Sequence, residues 1–184
     1  MARDAAGQIP PQRLLRDGDR EVIQRHRGRL LALGPEVVGA LEEVLYGRLP
    51  EGAGASRESL EYWWAQTVTG PWDDDYLARM ALVGLMHVAK RVTNPMMLAA
   101  SDHVVQLIAD ASVAFGIPDE ERRALLDAVG RVAGTVRVVI AWSHERAVSA
   151  ALYEAAGMPE GLLARLRDQE VGAFLERARA ELNL

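Results

Sequence analysis

Apolar residues along this chain recur at spacings of three and four, and those runs break only where proline and glycine gather. The breaks fall at Gly34-Pro35, Pro50 to Gly54, Gly70-Pro71, Asn94-Pro95, Gly116 to Pro118 and Gly157 to Pro159. A strand needs a period of two, so the pattern predicts an all-α protein with helices over 19–33, 35–49, 56–69, 73–92, 95–115, 118–156 and 160–182. Local chemistry supports the ends. Ser56 stands where an N-cap is wanted, three aspartates open the run at 73, Lys90 and Arg91 close it, and Pro95 sits in a first turn. The valine-rich stretch VRVVIAW has strand propensity, but the helical pattern runs through it to Ala156. The first dozen residues are poorly patterned, and 1–18 is read as a flexible segment.

With 184 residues, 49% of them hydrophobic, the chain suits one core. A formal charge of −5 gives no generalised basic surface, so nucleic acid and anionic membranes are not expected partners. No cysteine is present, which excludes disulfides, thiolate metal sites and a cysteine nucleophile. No window approaches the ~20 apolar residues of a membrane span, and the first residues lack a signal peptide's apolar centre. The expected compartment is the cytoplasm. No serine-histidine-acid order, phosphate loop or histidine-glutamate zinc spacing occurs, so a binding protein is expected rather than an enzyme.

The most informative stretch is MALVGLMHVAKRVTNP, residues 80–95, which sets one histidine in an apolar helical run. On a helix Met80, Val83, Gly84 and His87 share a face. Two roles fit such an imidazole: a core side chain satisfied by a backbone carbonyl, or an axial ligand to an iron porphyrin lying edge-in between helices. Gly84 marks a close approach to the backbone, by a cofactor or by a neighbouring helix. Lys90 and Arg91 suit two propionates at a pocket edge, and equally suit the helix dipole.

The order YGRL, SLEYWWAQTVTGPWDDDYLARMALVGLMHVAKRVTNP, IAWSHERA resembles the protoglobins and the globin domains of globin-coupled sensors over about residues 19–156. In that family a B-helix tyrosine is followed by an E helix ending in tryptophan, an acidic turn with tyrosine, and a Gly-x-x-His helix carrying the proximal histidine. The resemblance implies a globin-like helical sandwich, with 157–184 as a short extra C-terminal helix. It implies haem b (iron protoporphyrin IX) held by His87 as the metal ligand, and a diatomic gas (dioxygen, carbon monoxide or nitric oxide) as the partner. Tyr46 matches the distal tyrosine. Leu45 falls at the family's distal tryptophan and Leu60 at its E-helix phenylalanine when Trp63 is aligned to the E-helix tryptophan, so both side chains are smaller here. The segment before the E helix, around LPEGAGAS, is shorter than the family's.

Of the other histidines, His26 among arginines reads as a solvated face, His103 as an outer-face or pocket polar group, and His144 as a packing or capping residue. Trp63 and Trp64 cannot share one helical face, so one should pack inward and the other at an edge. The tail is too small for a catalytic output domain, which favours a stand-alone gas sensor or carrier. Sensor globins pair through their last helices. The small residues Gly130 and Gly134 fit such a homodimer, and fit packing within one chain as well. The competing readings are a haemless globin-fold interaction module and a weak haem-dependent peroxide or nitrite enzyme.

Overall fold

The computed structural model describes residues 2–47 and 54–182. Among them are eight α-helices and no strand: α1 Ala2–Ala6, α2 Asp17–Ala32, α3 Gly34–Leu41, α4 Arg57–Thr69, α5 Asp74–Ala89, α6 Asn94–Ser112, α7 Asp119–Ala156 and α8 Glu160–Leu182. A single π-helical turn, Glu42–Tyr46, prolongs α3. The chain divides into two compact units, Met1–Glu145 and Arg146–Leu184. In the second unit, α8 has no buried residue.

The caps act as the residue types dictate. Ser56 Oγ accepts from Ser59 N–H at 3.2 Å, Asp73 Oδ1 from Tyr76 N–H at 2.9 Å, and Thr93 Oγ1 from Met96 N–H at 3.4 Å. The VRVVIAW stretch is helical inside α7, with Val136, Val139 and Ile140 buried. Helix α5 ends in a Schellman closure: Val92 N–H donates to His87 O at 2.9 Å and Arg91 takes a left-handed φ of 59°. Arg91 is exposed there, and Val92 is fully buried.

The core of the first unit is apolar and continuous. Helices α2 and α3 pack on α4, α3 on α6, and α1 on α5. The stretch 1–18, read from sequence as flexible, contains α1, whose Ala5 is fully buried, and Ile9, which joins the same core. Arg13 Nη2 then donates to Gly130 O at 2.9 Å, and Arg131 Nη1 donates to Gln12 O at 2.6 Å. Gly134 leaves room for the same Arg13, whose Nη2 would stand 3.0 Å from an added Cβ. The small-residue pair on α7 thus receives an arginine of this chain.

The tightest helix contact sits at Gly84. A Cβ there would lie 1.9 Å from Ser143 Oγ, 2.5 Å from Ile140 O and 3.1 Å from His144 N. Two of these three atoms are α7 backbone, which cannot swing aside. Replacing Gly84 with alanine gains about 1 kcal/mol of helix propensity but forces α5 and α7 apart, an overpacking cost of about 1–3 kcal/mol or more. Gly84→Ala is expected to lower stability by about 2 kcal/mol in denaturant unfolding followed by circular dichroism. A stabilised variant would show that the helices do not meet this closely.

Candidate functional site

Helices α2, α3, α4, α5, α6 and α7 enclose one cavity in the first unit, with about 1150 Å³ of atom-free space when its open mouth is counted. The enclosed part is much smaller, about 150 Å³ open to the centre of a water-sized probe. Its walls are almost wholly apolar, built from residues such as Leu30, Leu41, Met97, Val104, Val132 and Ile140. Among the described residues lining it, Lys90 is the one with a formal charge at neutral pH.

Seven of the ten residues singled out from sequence line this cavity: Leu45, Tyr46, Leu60, Trp63, Val83, His87 and Lys90. Three do not. Met80 is buried in the core beside it, Gly84 faces the backbone of α7, and Arg91 is an exposed closing residue of α5. The choice at Gly84 between a cofactor and a helix is therefore settled by a helix. Arg91 is fixed by the need for a left-handed residue after the helix cap, a signal that the sequence hides because glycine usually stands there.

His87 is 6% exposed, and its Nδ1 is sealed from solvent without a hydrogen-bond partner. Burial pushes its pKa down to about 4, with the nearby His144 adding a smaller push in the same direction. The imidazole is therefore neutral at pH 7, the form that ligates metals. His144 is half-buried on α7 and does not line the cavity. Tyr46, at the end of the π-helical turn, has its phenol pKa raised by burial, against a smaller opposing pull from the Ala55 backbone. It stays protonated and can donate. Gly54 lies flat against its ring, since an added Cβ would meet the ring atom Cγ at 2.8 Å. Lys90 Nζ donates to Gly54 O at 2.8 Å. Most of LPEGAGAS falls outside the described residues, so the shortened segment itself is not placed.

The tryptophans divide as their adjacency requires. Trp64 is buried and its Nε1 donates to Leu30 O at 3.1 Å, whereas Trp63 is half-buried, with its Nε1 sealed and unpartnered. Residues that the sequence does not single out, such as Val129, Ala133 and Ile108, also line the cavity. Only their place on the inner faces of α6 and α7 would have marked them.

His26 corrects its sequence reading. It is 2% exposed rather than solvated, because α2 turns it toward α7, where Nε2 pairs with Glu121 Oε1 at 2.9 Å and Nδ1 accepts from Arg29 at 3.2 Å. The flanking arginines point outward and hide this in the sequence. His103 is exposed and stays off the cavity. Among the described residues no three His, Asp or Glu side chains gather to hold a bare metal ion. A porphyrin iron asks the protein for one imidazole, so that finding does not weigh on haem.

No protein-family model matches the chain, and no curated protein matches it.

The buried imidazole also sets a pH dependence. The unfolded chain binds the His87 proton below about 6.5, while the folded site refuses it until about 4, so acid favours unfolding in that window. Stability is fully present above pH 6.5 and falls by about 3 kcal/mol as pH reaches 4. Between His87→Leu and the unaltered protein, the difference in unfolding free energy should be flat above pH 6.5 and slope below it. A difference that stays flat down to pH 4 would mean that the ring is not buried in its neutral form.

Proposed function

We propose that this chain is a haem-binding protein of globin type that binds a diatomic gas, with His87 as the iron ligand. One observation carries the reading. A neutral histidine borders an apolar cavity, with its Nδ1 sealed and unpartnered, so that only the rest of the ring is left for an occupant. A filled core has no use for an imidazole held this way, since a buried unpartnered nitrogen costs about 1–3 kcal/mol.

The surrounding residues fit a haem. The walls are apolar, as an edge-in macrocycle requires, and Val83, one turn before His87, gives the histidine's helix an apolar face toward it. Lys90 supplies a cation at the border for a carboxylate. When bound, the iron supplies an open coordination position for dioxygen, carbon monoxide or nitric oxide. The chain's own part is to hold the group through His87, to exclude water with leucine and valine walls, and to offer the Tyr46 hydroxyl as a donor to a gas in the cavity. Leu45 and Leu60 leave more room beside that donor than the larger side chains of the family it resembles. We read the protein as a gas sensor or carrier rather than an enzyme, because the described cavity lining holds no carboxylate or second histidine to serve as a proton donor.

A haemless globin-fold interaction module is the competing reading. The imidazole at the cavity wall favours the haem reading over it, since a pocket filled by side chains has no need of one.

The experiment is the absorption spectrum of protein made in cells supplied with a haem precursor, taken ferric, reduced and under carbon monoxide. A Soret band that moves in both steps is expected. His87→Ala should lose most of the haem while staying helical by circular dichroism, and an unchanged spectrum in that variant would remove His87 as the ligand. Tyr46→Phe should speed dioxygen release by about tenfold, the worth of one hydrogen bond of roughly 1.4 kcal/mol. Identical release rates, measured by stopped flow, would take Tyr46 out of the gas site.

A further inference from the structure

The cavity is long as well as apolar. Along α4 its lining runs from Ser59 to Thr67 and Val68, and by helical rise Thr67 lies about 12 Å beyond Ser59. The side chain of Thr67 meets that of Tyr76, which stands about 16 Å before His87 along α5. Thr67 thus belongs to the inner end of the cavity, far from the imidazole. Gln24 of α2 donates to Thr69 O there, and Arg131 Nε of α7 lies 3.2 Å from Asp19 Oδ2 of α2, so Ile23, Val68 and Val129 close this end around Thr67. Lys90 lies at the opposite end, beside Gly54.

Thr67 carries a hydrogen that the protein does not use. It is 7% exposed, and its hydroxyl lies 3.3 Å from that of the fully buried Tyr76. Two hydroxyls bring two hydrogens to one bond, and neither side-chain oxygen has another hydrogen-bond partner among the described residues. Burial raises the Tyr76 pKa and keeps the phenol protonated, and as the more acidic hydroxyl it is the donor of the pair. The hydrogen left over is that of Thr67. Helix hydroxyls elsewhere return theirs to their own helix: Thr69 to Ala65 O, Ser112 to Ala109 O and Ser143 to Ile140 O. Thr67 makes no such bond, and of the pair it is the member that lines the cavity.

We propose that the inner end of the cavity is a second binding compartment, where the Thr67 hydroxyl donates to a small neutral molecule with an apolar body and one acceptor oxygen, such as a ketone. The walls define that class. An acceptor is favoured because a buried hydroxyl hydrogen without one is costly, and an ion is disfavoured because no described residue at this end carries a charge to balance it. The bond that Thr67 accepts from Tyr76 polarises its hydroxyl and strengthens the bond that it gives. The enclosed part of the cavity, about 150 Å³, is of the size that takes a single six-membered ring. The compartment does not rest on an iron at His87.

The test sets cyclohexanone against methylenecyclohexane, a hydrocarbon of the same shape that lacks the acceptor. Each is titrated into the full chain, and binding is followed by the methyl resonances of Val68 and Val129 at the inner end and of Val83 beside His87. Both compounds are expected to move the Val68 and Val129 signals. Thr67→Val keeps the shape and removes the hydroxyl, so it should weaken cyclohexanone about tenfold, the worth of about 1.4 kcal/mol, and leave the hydrocarbon unchanged. Thr67→Ser should restore the ketone. In the unaltered protein the infrared carbonyl stretch of bound cyclohexanone should lie below its position in hexane, a reading that needs no variant to fold and decides the matter if Thr67→Val weakens both compounds alike. A stretch at the hexane position would overturn the proposal, as would a ketone affinity that ignores Thr67→Val. Shifts confined to Val83, or no binding of either compound, would overturn it too, and the spare hydrogen would then serve a water alone.

Discussion

The crossing of α5 over α7 at Gly84 is the contact on which the candidate site depends. With hydrogen in place of a methyl group, Ser143 Oγ and the Ile140 carbonyl can press against the α5 backbone. That approach fixes the rotation of α5 about its own axis. Once Gly84 must face α7, the helical repeat puts Val83, Met86 and His87 on the cavity and leaves Leu82 and Leu85 exposed. The Schellman closure pins the other end. Val92 N–H holds the His87 carbonyl, so the backbone that carries the imidazole is fixed by a helix crossing one turn before it and a hydrogen bond immediately after it.

The parts of this structure that are legible in the sequence are the parts governed by neighbours along the chain. Helix limits follow from Ser56, Asp73, Thr93 and Pro95 because a cap acts within three residues. The identity of the cavity helix follows from the spacing of Met80, Val83, Gly84 and His87, since those offsets must share a face. What stays hidden is whatever depends on a partner far away in the chain. His26 reads as solvated because its flanks are arginines, yet its environment is set by Glu121, ninety-five positions later. Gly84 keeps two meanings until α7 is placed beside it. Arg91 looks like a propionate partner because charge is visible in a sequence and a positive φ is not. The stretch 1–18 looks featureless because it lacks periodicity, although Ala5, Ile9 and Arg13 are each held by residues distant in the chain.

Stability and site chemistry pull against each other in the way the buried polar groups are partnered. Thr67 and Tyr76 pair with each other at 3.3 Å, Trp72 and Trp64 donate to backbone carbonyls, and Ser112 and Ser143 bond back into their own helices. Each of these groups has a partner, as most buried polar groups do. Two sealed ring nitrogens without partners, His87 Nδ1 and Trp63 Nε1, belong to side chains of the cavity wall. An interior that satisfies its other buried histidine, His26, twice over and leaves His87 Nδ1 without a partner has gathered unmet hydrogen-bonding capacity of its rings at one place.

That gathering decides what kind of recognition the proposed site can perform. With a neutral imidazole, a protonated phenol, the hydroxyls of Ser59, Thr67 and Ser101 and one ammonium bordering mostly apolar walls, the described lining offers donors and a single positive charge and no negative one. In such a medium each donor acts at low effective dielectric, so one hydroxyl discriminates more sharply than it would in water. Under the proposed haem reading, gases that gather negative charge on their outer atom gain from Tyr46, and those that do not gain little. Selectivity under this reading therefore rests on how firmly Tyr46 is held, and its ring is held by Gly54, which is held by Lys90.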